Sequence, residues 1–303
     1  MSAIAEPSWP PAAVTQPSRA GFSGAVRGEL LKLAGFRPAW AMLGVGVLLF
    51  AALVLIGGGD ERRPAWHHDH LAVARLVLDM LMACFQAGSG VVLLVLAAWL
   101  VGVEHSAGTI RVLLARGTGR LRLLLAKLTA LGLVGLVLVA GYSAASLVGL
   151  ATMAAAWGDR PTAIFSLPGI FWHEAAMDAA AASVSAAAAI LVGVGASTLG
   201  RSLAFGLAAA LAFYPADTAG VLVARLLNEL THWHGWLAAG TYLLGPNLNV
   251  LAARLQPERA VTIPWALPPV AVSGAHTGLV IGAWLVALAA VSAVISRRRD
   301  VQD

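Results

Sequence analysis

Three stretches of this 303-residue chain hold residue types that can do chemistry. In "WHEAAMD", His173 and Glu174 begin a near match to H-E-x-x-H. That pattern sets two histidines on one helix face around zinc, with the glutamate as general base. Met177 stands where the second ligand belongs, so the stretch reads as the start of an apolar helix rather than a protease site. The clusters His67, His68, Asp69, His70 and His232, His234 contain transition-metal ligand types. They lie in two separate connections that would have to converge, and they read as solvated loop histidines, so no metal is assigned. Ser89, Ser183, Ser185 and Ser197 lie in no G-x-S-x-G, so no nucleophile elbow is present. The only lysines are Lys32 and Lys127, and neither follows a G-x-x-x-x-G-K-[ST] loop. The chain therefore carries no P-loop ATPase site, and no catalytic residue or bound cofactor is assigned to it.

The elements that would position these residues are set by an excess of apolar surface. The chain is 59% hydrophobic and 12% charged, with a mean hydropathy of +0.81. Soluble domains are nearer one quarter charged, so the expected solvent is a bilayer. Six apolar runs approach the roughly 20 residues that a bilayer core requires: 40–56, 84–103, 128–154, 176–199, 202–222 and 278–295. Residues 1–22, rich in Pro, Ala and Ser, read as a disordered tail and not as a signal peptide. Residues 23–303 form one membrane domain. The single cysteine, Cys84, excludes an intrachain disulfide and reads as inert packing. The bias toward Arg, Ala and Gly suggests a GC-rich bacterial genome.

The basic residues orient the spans. Thirteen of the 20 Lys and Arg residues fall on the side of the N-terminus, among them Lys32, Arg111, Arg116, Arg120, Lys127 and the run Arg297–Arg299. Seven fall on the other side, over longer connections. The positive-inside rule then places both termini in the cytoplasm of a multi-pass protein of the cytoplasmic membrane. With cations clustered at span ends and no nucleic-acid reader motif, nucleic acid is not an expected partner, whereas membrane lipid is.

Ionisable groups within spans are functional candidates by default. Arg75 and Asp79 are i, i+4 and are expected to pair at the outer approach to span two. Asp217, after Pro215 in span five, either lines a pathway or faces a partner helix, or else sits at the outer interface with access to water. Gly278 and Gly282 in span six, with Gly193 and Gly195 in span four, permit close helix packing. Residues 23–37 place Val26, Leu30, Leu33 and Phe36 on one helical face and Arg27, Glu29 and Lys32 mostly on the other, as in an interfacial amphipathic helix. A simple helical linker is the alternative. The long connection 223–277 is broken by Pro and Gly and reads as short re-entrant or interfacial helices, with Trp233, Trp236, Tyr242 and Trp265 at headgroup depth.

The connection between spans two and three, "GVEHSAGTIRVLLARGTGRLRLLLAK", is longer than a hairpin needs. Glu104 stands at the C-terminal end of a helix, where the macrodipole disfavours an anion, so it either finds a cation or leaves the helix. Gly108 can close that turn and Thr109 can cap a new short helix. Ile110, Leu113 and Leu114 form one apolar face, Arg111 turns away from it, and Gly117 ends the helix. The local physics fits equally an element built to be gripped by a soluble partner and a positive-inside anchor that happens to be helical.

The pattern of Glu104, Gly108, Thr109, Arg111, Leu113, Leu114, Gly117, Arg120, Leu124, Leu125, Ala126 and Lys127 resembles the ABC-2 type transporter permease family. The six-span layout, the N-terminal helix with Glu29 and Lys32, and the structured segment before the last span are similar too. The tail at 1–22 falls outside the resemblance. The resemblance implies an all-α permease subunit of an ABC exporter, with a cytoplasmic coupling helix between spans two and three. It also implies a separate ATP-binding subunit that hydrolyses the ATP, and a second permease copy, identical or similar. Glu104, Gly108, Thr109, Arg111, Leu113, Leu114, Gly117 and Arg120 would then meet the ATPase. A membrane-embedded enzyme and a non-transporting structural or sensory membrane protein are the competing readings. The first would need converging polar groups within spans that are mostly Ala, Val, Leu and Gly.

Overall fold

A computed structural model of the chain describes residues 21–106, 119–200, 202–256 and 268–298. Regular structure among them is entirely helical. The α-helices are α1 (Phe22–Ala34), α2 (Arg37–Gly57), α3 (Arg63–His68), α4 (His70–Ser106), α5 (Arg120–Ala156), α6 (Gly169–Gly200), α7 (Leu203–Thr231), α8 (Gly235–Gly240), α9 (Leu244–Leu255) and α10 (Gly274–Arg298). Short 3-10 turns lie at Asp60–Arg62 and Pro161–Ser166. Six helices, α2, α4, α5, α6, α7 and α10, are long and apolar enough to cross a membrane. This is the layout of a multi-pass membrane protein. Large apolar side chains such as Leu48, Leu55, Val137 and Leu279 are more than 70% exposed. Water would not tolerate whole helix faces of this kind, and an apolar solvent does.

The helices outrun the apolar runs that announce them. α4 begins at His70, well before the expected start at 84, because the Asp69 carboxylate accepts the Ala72 N–H at 2.9 Å as an N-cap. α7 continues through Pro215 to Thr231, past the expected end at 222. It stops where His232 turns left-handed, at φ 55°, and donates its N–H to the Asn228 carbonyl.

The centre of the bundle is a pair of parallel helices. Arg75 of α4 binds Glu174 of α6, Gly193 packs on the Leu94 carbonyl, and Ser197 Oγ donates to the Ala98 carbonyl at 3.1 Å. Each contact has the same offset of 99 residues. The two helices thus run side by side for about 35 Å, a full bilayer core. Gly193 makes this approach possible, since a Cβ there would stand 2.8 Å from both the Leu94 carbonyl and the Ala97 Cβ. Gly195 faces α10, at ordinary contact distance from Ser292. The expected packing role fails for Gly278 and Gly282, where a Cβ would meet nothing within 4 Å. α10 instead turns Thr277, Val280 and Ile281 inward, which rotates the two glycines onto an open face.

The end of the bundle remote from α1 has its own core. Trp66, Trp157 and Phe171 are fully buried there. Both indoles are satisfied, as buried tryptophans require: Trp66 Nε1 donates to Asp159 and Trp157 Nε1 to the Gly59 carbonyl.

Candidate functional site

The two lysines of the chain meet at one place. Lys127, two turns into α5, donates to Glu29 Oε2 of α1 at 3.0 Å, to Glu104 Oε1 of α4 at 2.7 Å and to the Leu100 carbonyl at 3.0 Å. Lys32 of α1 donates to Glu29 Oε1 at 2.9 Å and to the same Glu104 Oε1 at 2.7 Å. Two anions and two cations therefore alternate around a closed ring that joins three helices. An ammonium has three donors, and all three of Lys127 are used. The side chains of Glu29, Glu104 and Lys127 are about 95% buried, while Lys32 stays 41% exposed at the mouth.

Burial of this kind is tolerable only because the charges sum to zero and each is hydrogen-bonded. For Lys32, burial works against the charge. Its hydrogen bonds to Glu104 and Glu29 and their attraction outweigh that, holding its pKa above the ordinary 10.5. The dilemma of Glu104 is resolved in favour of partners, because it stays within α4 and gains two cations. Glu29 departs from the expected pattern. It lies on the buried side of α1 with Val26 and Leu33, rather than on a solvated face with Arg27. The reason is Lys127, whose buried charge needs a second carboxylate. Phe36, just past α1, stacks on Trp99 of α4 with centroids 4.1 Å apart and fastens the same corner.

Of the residues expected to meet an ATPase, Glu104 lies in the ring and Arg120 opens α5, half-buried. Gly108, Thr109, Arg111, Leu113, Leu114 and Gly117 lie outside the described residues, as does Trp265. Lys127 was not among the expected site residues. Its signal was in the composition: a chain with 20 Lys and Arg residues uses lysine only twice.

A second charged contact lies toward the other end. Arg75, whose expected partner is Asp79 one turn along, makes a bidentate bridge to Glu174 on another helix, with both contacts at 2.6 Å. Glu174, read only as the start of a span, is thus an anchor between α4 and α6, and Gln256 Nε2 donates to its carbonyl. Asp79 is half-buried one turn deeper on α4. Asp217 is buried, and its carboxylate accepts the backbone N–H of Gly245 at the start of α9. The histidine clusters have separate partners: His67 contacts the Trp157 carbonyl, His70 lies 3.6 Å from Asp159, and His234 contacts Asn228. Among the described residues no group of three His, Cys, Asp or Glu side chains is placed to hold a metal ion.

In comparison with known proteins, the chain matches no protein-family model and no curated protein.

Proposed function

We propose that this chain is the membrane-spanning permease subunit of an ATP-binding-cassette exporter of the ABC-2 type. The observation that carries the reading is the position of the charge ring. It joins α1, the end of α4 and the start of α5, and so brackets the connection 107–118, whose sequence resembles a coupling helix. The ends of α4 and α5 cannot part, nor can α1 leave them, without breaking buried ion pairs. A push on that connection is therefore transmitted to three helices as one body. Six membrane-length helices supply the pathway element. The motor is a separate ATP-binding subunit, which hydrolyses the ATP. A second permease copy, identical or similar, completes the pathway. Both termini and the connection face the cytoplasm in this arrangement, and the membrane is the cytoplasmic membrane.

The test is co-purification of a Walker-motif subunit with the tagged chain. Changing Arg111 and Leu114 together to Asp places negative charge on the gripped connection and is expected to abolish both association and substrate efflux. Should association and efflux survive that double change, the coupling assignment is wrong.

A further inference from the structure

Between α7 and α10 the chain doubles back into the bundle. A Cβ at Gly240 would stand 3.3 Å from Ala224, and one at Gly220 would stand 3.2 Å from Leu243. The Gly245 N–H donates to Asp217. As the segment advances from 240 to 245, its contacts on α7 retreat from 224 through 220 to 217, the midpoint of that helix. The retreat corresponds to about 10 Å of descent. α9 then climbs back. Gln256, just past its end, donates to the Glu174 carbonyl near the start of α6, and Arg254 lies against Gly274 at the start of α10. The tip, Leu243–Gly245, therefore sits at mid-bundle depth, and Leu244, Leu248 and Leu251 of α9 are buried in the core.

A helix that begins at that depth has free N–H donors and no water to receive them. Pro246 has no N–H to place. The Gly245 N–H goes to the buried carboxylate of Asp217. The fit is close enough that a Cβ on Gly245 would stand 2.8 Å from Asp217 Oδ2.

We infer that Asp217 is the latch that holds the tip of a re-entrant hairpin, α8 to α9, at the middle of the bundle. Withdrawal of the carboxylate strands the Gly245 donor, and the tip then moves toward the end remote from α1, vacating the space that α9 fills among α6, α7 and α10. The inference rests on the six-span reading and is independent of ATP-driven transport.

The test is labelling of Leu243→Cys by a membrane-impermeant maleimide in nanodiscs, with Cys84→Ala removing the one native thiol. Slow labelling is expected with Asp217 intact. With Asp217→Ala the rate is expected to rise about ten-fold or more, since a buried donor loses its acceptor. Asp217→Leu refills the volume without an acceptor and gives the same reading if the alanine variant is not recovered folded. Asp217→Asn keeps a carbonyl acceptor and is expected to stay near the parent rate. Equal rates in the parent and Asp217→Leu, or equal rates in Asp217→Asn and Asp217→Leu, overturn the latch.

Discussion

At the scale of single residues, the charge ring explains why two positions escape the arginine bias of the chain. Lys127 faces three acceptors converging on one point, which suits a compact ammonium and not a planar fork. Removing one member of a buried ion pair strands its partners, at a cost of about 3–5 kcal/mol. Lys127→Met should therefore lower the melting temperature sharply in detergent. The double change Lys127→Met with Glu104→Met leaves the Lys32–Glu29 pair balanced and should recover part of that loss. Additive losses in the double variant would count against a coupled ring. Lys32 predicts a pH profile. Its pKa is raised by folding, so its contribution is complete below the ordinary 10.5 and is lost as the pH climbs through the higher folded value. The melting-temperature gap between the parent and Lys32→Met should stay level from neutral to mildly alkaline pH and close only beyond that. Narrowing on the acid side instead would assign the gap to another group.

At the scale of elements, the parallel contact of α4 and α6 turns on one missing side chain. Gly193→Ala drives a methyl against backbone at Leu94 and should cost about 1–3 kcal/mol, as overpacking does. Gly282→Ala meets open space and should be neutral or slightly stabilising through helix propensity. Thermal unfolding of the two purified variants separates a packed glycine from an open one, and equal behaviour would contradict the assigned rotation of α10. Sequence alone marked all four glycines as possible contacts, because a small residue announces that a neighbour can approach and not that one does. Likewise the six spans were legible from their apolar runs. The true ends of α4 and α7 were not, because polar residues at helix ends follow caps and turns rather than hydrophobicity.

At the scale of the whole molecule, the six crossings put Ser23 and Ser202 at one end and Asp60 and Asp159 at the other. Single cysteines at these positions in a Cys84→Ala background should label from opposite faces in sealed vesicles, in those two pairs. If the chain is coupled to an ATPase as proposed, Lys127→Met should leave the complex assembled. ATP hydrolysis should then continue with efflux largely lost, because the ring and not the connection proposed to dock is damaged. Loss of association in that variant would place the ring in the docking surface itself.

Composition was sufficient to establish an all-helical chain that requires an apolar solvent, because span length and hydrophobicity are sums over local residues. The sequence also posed the choice facing Glu104, a cation or departure from the helix, since a helix end imposes that locally. Which cation answered, that Glu29 turned inward to join it, that Arg75 bridged to Glu174, and that Asp217 met α9 all depended on partners 23 to 99 residues away in the chain. Such pairings arise from how helices rotate and register against one another, and a single chain read in order holds no record of that rotation.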